Sequence, residues 1–478
     1  MPDNSGSNYY LIIDQGTSST KCFLFDPSGN VVFSERIKHS LHRPASHHVE
    51  CDPEEILQAC EYLIQLSIDH AKENSFEIHS IGFAFQRSTF LFWDRESLKP
   101  LSPTLSWQDN RASEIEGEYA QYSDMIHSRC GVPLSSHFGG LKYQHLIRNN
   151  DQLQIQTERG EALYGTLSSF LIHTLTGTPA IDHTIAGRTQ LMNIRSLIWD
   201  EELCSLFQID QHILPKIVPS TGQFGVYKSI PITCVIGDQQ SALIGQGGSH
   251  DGFLAMNFGT SGSVLLNSCN KPNQHDRLLT NVLFSEKDAF TYLLEGSING
   301  CNSLFYWLES ELGIPHEQMV WHKRCTETQT NGVLIPGFSG LAAPYWKSGF
   351  DTVFHNLENA DHNEIIRAGM ESIGFLVHDI LKTMNIVLNE KMIPVSGGGA
   401  RPPLLQFIAD LTGVPIGHTA MKDRTAFGVF KLLKKAAGES IVNERVECDH
   451  IFTPKMGESV KQLKLEQWHS ALKIMEIV

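Results

Sequence analysis

Two Gly-Thr-Ser hairpins, one near the start of the chain and one just past its middle, constrain the fold more than any other feature of the sequence. Residues 9–14 (Tyr-Tyr-Leu-Ile-Ile-Asp) are an apolar run closed by Asp14, the pattern of a buried strand. Residues 15–19 supply turn chemistry, residues 21–26 run back as a second strand, and Pro27-Ser-Gly-Asn30 turns into a third strand at 31–33. Strand, turn, strand, turn, strand is an antiparallel meander. After the glycine-rich stretch 245–248 the opening repeats: strand 253–258, turn Gly259-Thr-Ser-Gly262, strand 263–267. A chain of 478 residues is too long for one core. The repeat therefore predicts two α/β domains of related topology, 1–248 and 249–478, facing each other across a cleft.

Between the hairpins, Pro53 opens a helix with Ile56, Ala59, Leu63 and Leu66 at helical spacing. A further apolar strand, 78–85, ends in Gln86 and Arg87. The formal charge of −16 excludes a general nucleic-acid binder, which needs a basic face, while leaving room for a local basic pocket. Ten scattered cysteines without a C-x-x-C pair read as reduced, mostly buried thiols, not a disulfide framework or zinc site. No secretory leader or membrane-length apolar run is apparent, so the expectation is a soluble, cytoplasmic protein with no membrane partner.

The hairpin turns have the composition that phosphate demands: backbone N–H groups, small hydroxyls, and glycine where a Cβ would obstruct. Gly16, Thr17, Ser18 and Ser19 supply all of these, with Asp14 beside them to hold Mg²⁺ through water. Gly259 and Thr260 offer a second cradle, although either hairpin alone also suits an ordinary turn. A third cluster, Gly397-Gly398-Gly399-Ala400, lies between a predicted strand at 392–395 and a predicted helix at 404–411. Neither a P-loop nor a dinucleotide fingerprint is present.

Seven stretches turn these fragments into a pattern. They are Ile13-Asp-Gln-Gly-Thr-Ser-Ser-Thr-Lys21, Val49-Glu-Cys-Asp-Pro-Glu-Glu-Ile56, Ile81-Gly-Phe-Ala-Phe-Gln-Arg87, Ser106-Trp-Gln-Asp-Asn-Arg111, Ile236-Gly-Asp-Gln-Gln-Ser-Ala-Leu243, Gly340-Leu-Ala-Ala-Pro-Tyr-Trp346 and Gly397-Gly-Gly-Ala-Arg401. In this order the chain resembles the FGGY carbohydrate kinases, most closely their glycerol kinase branch. The resemblance implies two ribonuclease-H-like domains of the actin-like ATPase fold flanking a catalytic cleft. It also implies transfer of the γ-phosphoryl group of MgATP to a hydroxyl of a small sugar or polyol and, by association, a homodimer. In family terms Asp238 is the catalytic base, with Asp14 and Asp238 on the metal side. Gly16, Thr17, Ser18, Ser19, Lys21, Gly259, Thr260, Gly398, Gly399 and Ala400 fall on the nucleotide, and Arg87, Trp107, Asp238 and Gln239 on the acceptor. A carboxylate beside the nucleophilic oxygen is what proton removal requires, although Gly-Asp also commonly begins a helix.

Three of the seven acceptor positions depart from the glycerol kinase pattern: Ser88 replaces glutamate, His137 tyrosine and Ser263 phenylalanine. Losing a carboxylate and a ring predicts a larger, more adaptable pocket and an acceptor other than glycerol; glycerol kinase proper is the alternative. Ser396 stands where the family has aspartate, and Ala426-Phe-Gly-Val-Phe430 is bulky where the family is small, predicting weaker nucleotide binding and admitting a non-catalytic sugar or nucleotide sensor. The retained Asp14 and Asp238 favour an enzyme. Arg87 and Trp107 oppose an actin- or chaperone-like ATPase, which needs no polyol pocket. Lys431, Lys434 and Lys435 read as a solvated helix face, His47 and His48 as a surface loop, and Trp346 as packing.

Overall fold

Strands β1 (Asn8–Gln15), β2 (Ser19–Phe25) and β3 (Val31–Lys38) form the expected antiparallel meander. The computed structural model describes residues 8–45, 47–347, 349–386, 388, 392–419, 423–439 and 448–477. Residues 1–7, read above for a leader, lie outside the described residues. Helix α1 (Pro53–Glu73) starts where Asp52 accepts the N–H groups of Glu54 (2.9 Å) and Glu55 (3.2 Å), with proline at its first position. It buries Ile56, Ala59 and Leu63 against the meander, while Leu66 is half-buried.

Strand β4 (Glu77–Phe85) lies parallel to β1. The long excursion that follows carries α2 (Gly139–Arg148), and the chain returns through β5 (Gly225–Tyr227) and β6 (Ile230–Gly237) to α3 (Asp238–Gly245). The first sheet has the order β5-β6-β4-β1-β2-β3.

The second half repeats this plan. Strands β7 (Leu254–Phe258), β8 (Gly262–Asn267), β9 (Leu279–Ser285) and β10 (Phe290–Ile298) precede α4 (His362–Met384). Then come β11 (Ile393–Ser396), α5 (Pro402–Thr412), β12 (Ile416–His418), α6 (Arg424–Ala436) and β13 (His450–Phe452). The sheet order is β9-β10-β8-β7-β11-β12-β13. Its β10-β8-β7 ladder is antiparallel, and β11 and β12 continue it in parallel, as β3-β2-β1 is continued by β4 and β6. This is the paired ribonuclease-H-like architecture.

The halves are joined by a shared core. Tyr10, Ile12, Phe25, Ala84 and Ile236 of the first pack with Leu265, Leu293, Ala426, Val429 and Phe430 of the second. Helix α6 crosses to pack on α3 and the first sheet. The helices meet closely at glycines: a Cβ on Gly428 would lie 1.9 Å from the Ser241 carbonyl oxygen.

This crossing shows what the bulk at 426–430 packs against and corrects the expectation of a solvated lysine face. The bulk at 426–430 faces the seam between halves: Phe430 stacks on Phe25 at 4.9 Å, and Phe427 lies 6.3 Å from the same ring. The lysines of α6 are not a solvated face, because the helix is wedged between the halves. Lys431 is buried over the Phe427 ring, Lys434 donates to the Pro27 carbonyl (3.1 Å), and Lys435 pairs with Glu286 (2.6 Å). All ten cysteines are free thiols, and most are buried. Trp346 packs against the cores and donates to the Arg277 carbonyl (2.9 Å). Among the described residues no helix is long and apolar enough to cross a membrane.

Candidate active site

The β1–β2 register sets Asp14 opposite Lys21 at the mouth of the first hairpin. Lys21 Nζ lies 3.9 Å from Asp14 and 3.8 Å from Asp423, the residue before α6. Gly16 N–H closes the turn onto the Ser19 carbonyl (3.0 Å), Ser18 is exposed, and Thr17 Oγ1 accepts the indole N–H of Trp107 at 2.9 Å. The first hairpin and Trp107 are thereby tied together.

The second hairpin and the glycine cluster also come together, although they are far apart in sequence. Gly399 N–H donates to the Phe258 carbonyl (2.8 Å), docking the glycine turn on the end of β7. Gly397 has φ +99°, and a Cβ there would lie 2.1 Å from the Phe258 oxygen, so only glycine fits. Gly259 and Gly398 have nothing nearer than 3.8 Å to such a Cβ, which leaves open backbone of the kind a phosphate cradle needs. The Thr260 carbonyl accepts the Cys301 (3.1 Å) and Ser303 (3.2 Å) N–H groups, whereas Ala400 is buried in the core of the second half.

Asp238 is the first residue of α3, where its carboxylate benefits from the helix N-terminus and accepts the Gln239 N–H at 2.7 Å. Arg87, projecting from the end of β4, brings its Nε to 3.6 Å from Asp238. The rest of its guanidinium faces elsewhere: Nη1 donates to Gln240 (3.1 Å) and to Glu295 (3.2 Å), and Nη2 to Glu295 (3.4 Å). Arg188 donates to the same Glu295 carboxylate.

Burial raises the Asp238 pKa, and Glu295 adds to the rise, while Arg87, the Gln239 N–H and Arg188 oppose it. Burial likewise pushes Asp14 up to about 6; Lys21 opposes, and Asp238 and Asp423 add to the rise. His137 stands edge-on to Trp107 (6.1 Å), and burial plus the charges of Lys142, Arg188 and Arg87 hold it well below its ordinary value, so its imidazole is neutral.

Ser263 occupies the middle of a polar row across the second sheet, paired with Asn257 on β7 and Ser297 on β10. Asn257 donates to Gln239 (3.3 Å) and accepts from Ser396 (3.3 Å), which in turn accepts from Gln246 (2.7 Å). Ser396 is thus knitted into a side-chain network. Ser88 is different: it has φ +58°, its hydroxyl is buried without a partner among the described residues, and only its carbonyl is engaged, by Lys142 Nζ at 3.1 Å.

Glu295, Arg188, Asp423, Lys142 and Asn257 escaped the sequence reading. The available signal was a lone charge in an apolar run, as in Tyr292-Leu-Leu-Glu295, since charges are seldom buried unless paired. Among the described residues no cluster of three or more His, Cys, Asp or Glu could cage a metal. Asp14 and Asp238, both pushed up by burial, with Asp238 adding to the rise at Asp14, fit a magnesium ion that takes its remaining ligands from water and phosphate.

Residues 9–245 match the model of the N-terminal domain of the FGGY family of carbohydrate kinases, and residues 254–437 match that of its C-terminal domain. Glycerol kinase 1 of Thermotoga maritima is 31% identical, over 97% of this chain and 99% of its own. The crystal structure of Plasmodium falciparum glycerol kinase with ADP superposes with TM-score 0.89 at 30% identity, covering 98% of each chain. A gluconate kinase structure from Lactobacillus acidophilus reaches TM-score 0.87 at 22% identity over 98% of each chain, a likeness of fold.

Proposed function

Because the chain belongs to the FGGY family of carbohydrate kinases, phosphotransferases with an alcohol acceptor, we propose that it transfers the γ-phosphoryl group of ATP to a hydroxyl of a sugar or polyol larger than glycerol. The observation that carries this reading is the polar row Ser297–Ser263–Asn257, continued by the hydrogen bond to Gln239. Side chains paired across strands share a face, so the row offers hydroxyl and amide groups where an aromatic ring would close a glycerol-sized site. A longer polyhydroxyl chain can satisfy these groups. Glycerol is too short to reach along the row, and a buried polar group left without a partner costs about 1–3 kcal/mol.

The geometry supports the following roles. Asp238, with a raised pKa, holds the proton of the reacting hydroxyl, and Arg87, 3.6 Å away, steadies the resulting charge. Trp107 gives the acceptor an apolar wall and fixes Thr17 of the first hairpin. Neutral His137 can donate or accept a hydrogen bond without repelling the two arginines. MgATP, when bound, supplies the phosphoryl group and the divalent charge that offsets its oxygens. The hairpin turns at 16–19 and 259–260, with the open space at Gly398 beside Gly399, would bind phosphates, and Asp14 with Asp238 the cation. The division at 248/249 then separates a half with most acceptor groups and the first phosphate hairpin from a half that is mainly nucleotide-binding.

Coupled ADP release over a panel of polyols and sugars that includes glycerol tests the acceptor. A four- to six-carbon compound should have the highest kcat/KM, and glycerol in first place overturns the reading. Asp238→Asn should lose about 100-fold or more in kcat while still binding ATP.

A further inference from the structure

Glu295 is an isolated carboxylate in an apolar strand and is only 2% exposed. It accepts two nitrogens of Arg87, one of Arg188, and the Ser297 hydroxyl (3.3 Å). Both arginines belong to the first half of the chain and Glu295 to the second. The Arg87 guanidinium therefore stands between two carboxylates, one deeply buried and one 28% exposed at the mouth of α3. The division is unequal: Glu295 takes the two terminal nitrogens, and only Nε is left toward Asp238, at 3.6 Å.

A guanidinium prefers a two-point grip on a carboxylate. Without Glu295, only the Gln240 side-chain carbonyl, 3.1 Å from Nη1, still holds the fork of Arg87, and the fork can turn onto Asp238. That grip would occupy the oxygens that must take the acceptor proton and would make them poorer proton acceptors. Arg188 prevents the opposite fault, since its positive charge keeps the Glu295 carboxylate ionised and in place. Buried ion triads are an expensive way to stabilise a fold, because apolar residues of similar volume do as well or better. Their retention beside a reacting carboxylate calls for another role.

We propose that Glu295 is a positioning residue for phosphoryl transfer: it holds the fork of Arg87 away from Asp238, keeping the Asp238 oxygens free for the acceptor hydroxyl. The proposal rests on the reading of Asp238 as the base. A purely structural triad would lower the thermal midpoint and weaken acceptor and ATP alike, whereas a positioning role weakens the acceptor step alone, which separates the two possibilities.

The test uses Glu295→Gln, nearly the same in shape but uncharged, and Glu295→Asp, which keeps the charge on a shorter arm. The full chain is assayed with the best acceptor of the panel, alongside its thermal midpoint and KM for ATP. Glu295→Gln should lower acceptor kcat/KM roughly 100-fold and Glu295→Asp about tenfold, with KM for ATP changing less than about threefold.

A folded Glu295→Gln protein with wild-type acceptor kcat/KM overturns the proposal, as does an equal loss toward acceptor and ATP. If Glu295→Gln fails to fold, Glu295→Asp decides alone: wild-type kcat/KM overturns the proposal, and a tenfold loss confined to the acceptor supports it. Asp238→Asn keeps the two readings distinguishable. Retained turnover there removes the base itself, whereas lost turnover there with an unchanged acceptor kcat/KM in Glu295→Gln removes only the role given to Glu295.

Discussion

Asp14 is expensive to ionise in the ligand-free protein, because burial and the facing carboxylates hold its pKa near about 6 against an ordinary 3.8. A folded-state pKa above the unfolded one means that ionisation opposes folding. The cost is full above pH 6, fades between 6 and 3.8, and is absent below, where both states are protonated. Asp14→Asn should therefore stabilise the ligand-free protein by about 2–3 kcal/mol at pH 8, with the gain shrinking toward zero near pH 4. Thermal midpoints across pH check this, and a gain that grows on acidification would contradict the assignment. The same variant should lose magnesium-dependent activity, a trade of function against stability common at active sites. Asp14, Thr17, Arg87, Trp107 and Asp238 were legible in the sequence because each lies in a short segment with its own chemistry. Glu295, Arg188 and Asp423 were not, because their roles exist only as pairs between distant segments, and a single charge in a sequence looks the same whether it faces solvent or a partner.

Among the elements, α6 and α3 form the contact that seats the proposed base. The backbones approach because Gly428 has no side chain, and an added Cβ would lie 1.9 Å from the Ser241 carbonyl oxygen inside α3. Backbone cannot step aside as a flexible side chain can, so Gly428→Ala should cost about 1–3 kcal/mol, seen as a lower thermal midpoint. It should also lower kcat by up to about 100-fold, since Asp238 opens the displaced helix and small misplacements at a reacting group are costly. An unchanged kcat in a destabilised protein would mean that α3 holds Asp238 without help from α6. The strands and meanders were readable from alternation and turn residues, whereas the placement of α6 was not. Its spacing announces an amphipathic helix but cannot say that two unequal surfaces, one from each half, cover it, which is why Lys431 was misread.

At the scale of the whole molecule, the repeated topology suggests two independent domains, but the packing couples them. Phe430 touches Phe25 and Tyr10 of the first sheet from a helix of the second half, within a core that also holds Leu265 and Leu293. Such a seam makes the halves depend on each other for burial of apolar surface, which removes the basis for separate unfolding. Differential scanning calorimetry of the ligand-free protein should give one endotherm. Phe430→Ala should remove about 3–5 kcal/mol and move that endotherm to lower temperature as a whole. Residues 1–248 expressed alone should expose the faces of Tyr10, Phe25 and Ile236 that α6 covers, and bind a hydrophobic dye or aggregate. Two resolved endotherms in the intact chain, or a variant in which one half melts early while the other keeps its midpoint, would show that the halves are held together by the cleft contacts rather than by a common core.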